Sequence, residues 1–524
     1  MGLSELQATR RQKVDDLRAA GVDPYPVRSG RTHTVTEALA LFEGEEAAAR
    51  PAPADMAAGG EAVPPADVET AEPVTVAGRL MTVRHMGKTA FGTLRDGSGE
   101  IQLYVRRDVV GDGAFAQFLK LFDLGDVIEA TGKVFRTRAG EVSVRTTDVG
   151  MLTKALNAPP EKWHGLTDVE TRYRQRYADL IANAEVRRVF QVRSRAVTAT
   201  RRFLDERGFL EVETPTLQPL YGGAAARPFT TVHNALDQTL YLRIADELYL
   251  KRLVVGGFER VYEICKDFRN EGIDRYHSPE FTMLEFYQAY ADYRDVMALT
   301  EDLIVTVARE TLGTLQITYL GQAIDLSPPW PRLSLRQAIL DRSGVDYVAH
   351  AGAESLLAAA RAAGADVATG TVWPKIVDEL LKQCVRPTLI QPAFLVDYPV
   401  SLSPLAKRKP DDPTHVERFQ PFIGGAEVGN GFTELNDPLD QLARFQDQRR
   451  DREAGDDETM PIDTDFVNAL MYGMPPTGGV GIGIDRLTML LTDQDGIRDV
   501  VLFPAMRALP PESDPMAPLA NVEP

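Results

Sequence analysis

At 524 residues the chain is too long for a single hydrophobic core, so two or three domains are expected, and 44% hydrophobic with 26% charged residues is the balance of a soluble globular protein. No apolar run approaches the ~20 residues that span a bilayer; MGLSELQATRRQK lacks the apolar stretch of a secretory signal, and Leu6 stands where a myristoylation signal needs Ser or Thr. Two cysteines, Cys265 and Cys384, with no C-x-x-C pair exclude a disulfide framework and a zinc site, so a cytoplasmic protein is expected, and the net charge of −18 argues at first sight against a nucleic-acid partner.

Residues 4–20 read as a short amphipathic helix within an N-terminal helical extension, 1–43. Residues 44–73 (GEEAAARPAPADMAAGGEAVPPADVETAEP) are rich in Ala, Pro, Glu and Gly and read as a flexible insertion. Charge is uneven here: Glu37–Glu72 holds nine acidic residues against Arg50, whereas Arg79–Arg107 holds six Lys/Arg against Asp96 and Glu100. A basic module inside an acidic chain and an ordinary solvated surface both fit that pattern. Over 74–150, VTVAGRLMTV, AFGTLRD, IQLYVRR, DVIEATGKVFRT and EVSVRTTDV are five strand candidates separated by Gly-bearing turns, which suggests a small barrel; an OB-fold has five strands.

Residues 151–185 read as a linker. A long helix is expected over 186–207, with Val186, Val189, Phe190, Val197 and Leu204 on one stripe, then a strand, Leu210–Thr214, stopped by Pro215. From there to Arg507 strands and helices alternate irregularly with hairpins, unlike the rhythm of a parallel sheet, so the fold class is α+β. The Pro-rich tail, 508–524, reads as disordered.

Neither common nucleotide cradle, G-x-x-x-x-G-K-[ST] or G-x-G-x-x-G after a strand, occurs. Three segments carry chemistry instead. VYEICKDFRNEGIDRYHSPEFTMLEFY, 261–287, reads as strand, loop, strand, with Arg269 ending the first strand and Phe281, Glu285 and Tyr287 on one face of the second. Such a hairpin could hold a phosphate, stack a base and pair a cation; it could also be a charged hairpin with an aromatic core face. In FQPFIGGAEVGNGFTELNDPLDQ, 419–441, Asn430, Phe432 and Glu434 share a strand face while Glu427 is out of phase, which requires a bulge near Gly429 or a separate role. An acidic residue there could hold Mg²⁺ through oxygen, or the segment is simply a polar strand. In GGVGIGIDRLTMLLT, 478–492, Gly479, Gly481 and Gly483 leave one strand face bare, a floor for a planar ligand or for a packed helix. Arg486 opens the next helix, where an arginine is poorly placed for the dipole, which suggests a compensating ligand such as a phosphate.

Together these segments resemble the class II aminoacyl-tRNA synthetases: FRNEG with HSPEF is similar to their second signature, GGVGIGIDR to the third, and the helix–strand ending at Pro215 to the first, which usually builds a dimer interface. WHGLTDVETRYRQRY, LRIADELYLKRLVVGGFERVYEI, SPEFTMLEFYQAYADY and GNGFTELNDPLDQ look closer still to the lysyl members of that family, over residues 74–507. The resemblance implies an antiparallel catalytic sheet flanked by helices over 186–507 and an N-terminal OB-fold β-barrel, 74–150, that reads the anticodon. It implies ATP, L-lysine and tRNA(Lys) as substrates, Mg²⁺ as cofactor, and a homodimer without membrane attachment. By the same resemblance Arg269 would clamp the lysine carboxylate and the α-phosphate, Glu271 and His277 would touch the nucleotide, Phe281 would stack on adenine, and Arg486 would grip the γ-phosphate. Gly223 and Glu247 would hold the α-ammonium; Glu285, Tyr287, Asn430, Phe432 and Glu434 would shape the side-chain pocket; Glu427 would bind Mg²⁺; and Arg79, Phe91 and Gln102 would meet the anticodon.

The chemistry agrees with that choice of amino acid, because Glu247, Glu285 and Glu434 could surround a buried ammonium, whereas an aspartate pocket would need Arg or Lys. Uncharged competitors would leave those carboxylates unpaired, a discrimination of ~10⁴ or more. Three positions depart from the lysyl pattern: Tyr276 stands where an arginine precedes the histidine, with Arg275 displaced by one; Ser278 replaces an asparagine; and Gln420 stands where a second metal-binding glutamate is expected.

Overall fold

A computed structural model describes residues 4–49, 68–160, 166–453 and 460–510, with the side chains of 451–453 left out. Much of the expected insertion (50–67), part of the linker (161–165) and most of the expected tail (511–524) lie outside the described residues. The chain divides into two units, one holding residues 1–165 and 507–524, the other 166–506.

In the first unit, helix α1 (Glu5–Ala19) starts at Ser4 and α2 (Val35–Ala48) at Thr34, each with a capping box that satisfies the free N–H groups of the first turn. α2 runs past residue 44, where the insertion was expected to begin, because Phe42 and Ala38 are buried against the barrel and Glu46 pairs with Arg136 at 2.8 Å. The five expected strands form: β1 (Val74–Met86), β2 (Thr89–Arg95), β3 (Glu100–Arg106), β4 (Val127–Arg136) and β5 (Val142–Thr153), closed in the order β1-β2-β3-β5-β4. Period-two burial puts Leu80, Leu94, Ile101, Leu103, Val105, Ile128, Ala130 and Val144 inside. Between β3 and β4 the chain adds two helices, α3 (Arg107–Val110) and α4 (Asp112–Leu121), which the sequence reading left out; Phe115 and Phe118 of α4 are buried in the barrel's core.

The second unit is built on a nine-stranded, mostly antiparallel sheet. It is entered through α5 (Val169–Arg174), α6 (Arg176–Ala182) and α7 (Ala184–Asp205), so helices occupy much of the stretch read as a linker. The strand expected at 210–214 is only two residues, β6 (Leu210–Glu211), parallel to the strand at Arg260–Phe268. The remaining elements that frame the site are α8 (Glu247–Val255), β7 (Arg260–Phe268), β8 (Glu280–Ala289), α9 (Tyr293–Leu312), β9 (Arg332–Ser334), β10 (Ala393–Pro399), β11 (His415–Ile423), β12 (Ala426–Glu427), β13 (Gly429–Thr433), β14 (Thr477–Gly483) and α10 (Ile484–Thr492). The sheet order is β9-β10-β11-β13-β14-β8-β7-β6, with β12 added on β11.

Alternation along the strands gives the sheet two different faces. Tyr262, Leu284, Phe286, Val480 and Ile482 pack in one cluster with apolar residues of α7, α9 and α10. The opposite face carries Glu263, Phe281, Glu285, Tyr287 and the three β14 glycines, with α8 lying across part of it. One face is therefore structural, and the other carries Phe281, Glu285, Tyr287, Asn430, Phe432 and the glycines that the sequence singled out.

Candidate active site

β14 lies at the centre of that face, with Tyr287 and Phe432 opposite Gly479, and Glu285 and Asn430 opposite Gly481. A Cβ on Gly479 would come within 2.5 Å of Tyr287 Cε1 and closer still to Glu434 Oε1, so only glycine fits. At Gly481 the nearest atoms, on Glu285 and Met283, stand 3.6 Å away, and at Gly483 the nearest is 3.7 Å away on Arg486. The bare strip thus passes under the tyrosine–glutamate end, then Glu285, then Arg486.

Above Gly479 is a buried acidic pocket. Lys251 of α8, fully buried, donates to Glu247 Oε1 at 2.6 Å, pairs with Glu434 Oε2 and lies over the Phe432 ring at 5.4 Å. Glu434 is 1% exposed, and its Oε1 has no hydrogen-bond partner among the described residues. Burial pushes the Glu434 and Glu247 carboxyls up, with Lys251 opposing. Burial also pulls Lys251 down, but Glu247 and Glu434 together outweigh it and hold the ammonium above its usual value. Glu285 accepts from the Tyr287 hydroxyl at 2.8 Å and is pushed up to about 8, first by burial and then by Glu247 and Asp267. Gly223 has a φ of +89°, a Cβ there would press on Ala245 at 3.0 Å, and its N–H points to Met460 Sδ at 3.2 Å.

At the other end, Arg269 follows β7, its guanidinium 4.9 Å from the centre of the Phe281 ring. Arg486 donates to the main-chain oxygen of Glu427 at 3.0 Å. Glu427 lies on its own short strand, β12, opposite Phe422, so a separate strand accounts for the phase change. Gln420, two residues back from Phe422, shares that strand face, and its side-chain oxygen accepts from the Tyr398 hydroxyl at 2.5 Å. Asn430 accepts from Arg418 Nε at 2.7 Å, and Arg418 also stacks on Tyr398.

The sheet thus gathers Glu247, Glu285, Tyr287, Phe432 and Glu434 in one pocket and sets Arg269 with Phe281, and Arg486 with Glu427. Glu271 and His277 lie apart from it on an exposed loop, where His277 bonds to Asp274 at 2.7 Å. Tyr276 packs against the core and Arg275 donates to the Asp495 main chain at 2.8 Å, which gives both displaced residues a partner on the loop's inner side. Lys251, Asp246, Arg418 and Tyr398 escaped the sequence reading. The only signal for Lys251 is its i,i+4 spacing from Glu247, which ordinarily marks a surface pair.

On the barrel, Phe91 pairs with Tyr104 across β2 and β3, their rings 5.2 Å apart, and Tyr104 meets Phe135 at 5.5 Å. Arg145 covers the Phe135 ring at 4.5 Å. Gln102, offset from Phe91 by two residues on the same face, accepts from Ser143 at 3.0 Å. Arg79 is held by the Gly125 carbonyl at 2.6 Å, and burial lowers its pKa with Asp126 opposing. An aromatic row flanked by a cation and an amide is a surface on which bases can stack.

Residues 168–507 match the family model for class II tRNA synthetases (D, K and N), and residues 74–152 match that for an OB-fold nucleic acid binding domain. The chain is 56% identical to the lysine–tRNA ligase of Roseiflexus sp. (strain RS-1), over 97% of this chain and 99% of that protein. It is 53% identical to that of Chloroflexus aurantiacus over 97% and 99%, and 49% identical to that of Bacillus subtilis over 96% and 98%.

Proposed function

The chain belongs to the class II tRNA synthetases, and from that premise we propose that it is a lysine–tRNA ligase whose acidic pocket on the sheet's open face binds the amino acid. The carrying observation is a charge count in a dry pocket. Glu247, Glu285 and Glu434 are all buried, and Lys251 neutralises one of them. Two carboxylates remain for the two ammonium groups of lysine, and Arg269, whose charge acts on neighbouring Asp267, is the cation for its carboxylate. An aspartate or asparagine substrate offers only one ammonium and would leave a buried carboxylate unpaired.

In this reading Gly223 and Glu247 hold the α-ammonium, and Glu285, Tyr287, Asn430, Phe432 and Glu434 enclose the side chain, with Glu434 Oε1 as the open acceptor. Phe281 stacks on adenine; Glu271 and His277 reach the nucleotide from the loop. The lysine carboxylate oxygen attacks the α-phosphorus, the bond to the β-phosphate breaks, and pyrophosphate leaves. The 3′-hydroxyl of the tRNA's terminal adenosine then attacks the lysyl carbonyl, and AMP departs. The protein supplies alignment and charge, Arg269 at the α-phosphate and Arg486 at the γ-phosphate, with no covalent intermediate on a side chain.

Glu427 is half-buried and, among the described residues, in no ion pair, so one carboxylate is available for Mg²⁺ held chiefly by nucleotide phosphates, whose charge it would neutralise. Gln420 adds at most a neutral oxygen already bonded to Tyr398. The barrel face, with Arg79, Phe91 and Gln102, receives the anticodon of tRNA(Lys). The reading includes a homodimer formed through the α7–β6 segment and a cytoplasmic protein; among the described residues no helix is long and apolar enough to cross a membrane. ATP–pyrophosphate exchange tests the assignment: lysine should support it, and comparable exchange with aspartate would overturn it.

A further inference from the structure

Asp246 caps α8, a position where a carboxylate ordinarily accepts from the helix's first free N–H groups. Here it accepts none of them, is fully buried, and among the described residues neither of its oxygens finds a hydrogen-bond donor. The side chain turns into the sheet instead. Oxygens of Asp246, Asp267 and Glu285 lie within 4.8 Å of one another, and Asp267 Oδ2 also lacks a donor among the described residues. Three buried carboxylates this close together repel strongly when all are ionised, so the cluster favours keeping a proton that one carboxyl can donate to its neighbour. A metal ion is the poorer occupant. A hard divalent cation takes about six or more oxygens, and Arg243 already enters the cluster, 2.7 Å from Glu263 and 3.5 Å from Asp267.

We propose that Asp246 is a positioning residue for lysine: it shares a proton with Glu285, so the pair offers the substrate's ε-ammonium one aimed negative charge. The proposal rests on the lysine reading of the pocket. The pair is faced by Arg243 from the segment before α8, by Glu247 and Lys251 from α8, and by Glu263, Cys265 and Asp267 from β7, with Arg269 just past β7 acting on Asp267. On β8 itself Tyr287 donates to Glu285, Glu434 closes the far side, and β14 contributes only glycines. Acidic groups outnumber the cations here, which favours retaining a proton. Burial, followed by Glu285, raises Asp246 well above the usual carboxyl range.

The two carboxyls titrate as a unit. With both protonated the pair is neutral and a poor partner for an ammonium. With one proton lost it pairs with the ammonium while Asp246 still donates to Glu285. Lysine capture therefore strengthens as pH rises through the first titration, and below it each lysine bound expels a proton to solvent.

Calorimetry of lysine binding to the full chain, in buffers of different ionisation enthalpy, counts that proton. Wild type should release about half to one proton per lysine at about pH 7. In Asp246→Asn the carboxamide donates to Glu285 at every pH and removes the neighbouring acid. This variant should release fewer protons and shift the acid limb of kcat/KM for lysine down by about one pH unit or more, with the KM for ATP unchanged. A side chain that merely filled space would move neither readout. Zero proton release by wild type, which requires no variant to fold, or an unshifted acid limb in Asp246→Asn, overturns the proposal. Absence of lysine-dependent exchange by wild type at any pH would instead overturn the reading of the pocket on which it rests.

Discussion

Lys251 holds an ammonium where no water reaches it, between two glutamates and over an aromatic ring. Removing the cation from such a triad leaves buried carboxylates with nothing to offset them, at a cost of ~3–5 kcal/mol. Lys251→Met should therefore lower the unfolding free energy by about that amount in denaturant titrations. A loss below about 1 kcal/mol would mean that Glu247 and Glu434 are held protonated. Glu434 was legible from strand parity and family pattern, because a carboxylate on a ligand-facing strand is conspicuous. Lys251 was not, because a Glu–Lys pair one helical turn apart looks the same on a surface as in a core until the helix is packed. Gln420 presents the complementary case. Its amide satisfies Tyr398 but brings no charge toward Glu427. Gln420→Glu should lower the Mg²⁺ concentration that half-saturates lysine activation, measured at fixed ATP. An unchanged Mg²⁺ dependence would mean that position 420 does not face the ion.

Two strands carry function through what they omit or expose. On β14, Gly479 passes directly beneath Tyr287 and Glu434, and one added methyl group would push both out of place. Gly479→Ala should raise the KM for lysine by about a hundredfold, the equivalent of ~2.7 kcal/mol, and alter the KM for ATP far less. Equal losses for both substrates would show that the strand itself had shifted. On β2, Phe91 stacks with Tyr104 in the barrel's aromatic row. Base–aromatic stacking is worth ~1–3 kcal/mol by alanine substitution. Phe91→Ala should thus raise the KM for tRNA(Lys) by about tenfold or more, with tRNA-independent lysine activation intact; equal loss of activation would remove the anticodon role from this face. Elements with strict alternation, such as β2 and β3, were legible because period two fixes which side is buried. The α3–α4 segment was not: RDVVGDGAFAQFLKL begins with charges and two glycines, and only the buried Phe115 and Phe118 fix it as helix. β6 is short because, after Val212 donates to the Tyr262 main chain at 2.9 Å, the Thr214 N–H turns to the Glu263 side chain at 3.1 Å and not to the ladder.

Across the whole molecule, the acidic balance has a thermodynamic consequence separate from tRNA binding, which a local aromatic face can support despite a net charge of −18. Several of the chain's carboxylates are buried together around the proposed amino-acid pocket. Glu285 moves from 4.5 to about 8, and Glu247, Glu434 and Asp246 also move upward, each chiefly through burial. A carboxyl whose pKa is raised on folding binds protons more tightly in the native state. Its stabilising contribution is complete below the unfolded value and is lost as pH rises through the folded one. For Glu285 that window runs from 4.5 to about 8, so the free protein should lose stability from this source as it is made alkaline over that range. Bound lysine works in the opposite direction, because its ammonium groups replace the protons that the carboxylates give up. Ligand at a hundredfold excess over Kd adds ~2.7 kcal/mol, and Kd itself should tighten with rising pH until the pair has titrated. The lysine-induced rise in Tm, at one fixed lysine concentration, is therefore expected to be larger at about pH 8.5 than at about pH 6. Norleucine, which keeps the chain length but lacks the ε-ammonium, should show little of that increase. A lysine effect that is flat across this range, or matched by norleucine, would mean that the buried carboxylates are already neutralised within the fold and that the pocket's charge does not select the substrate.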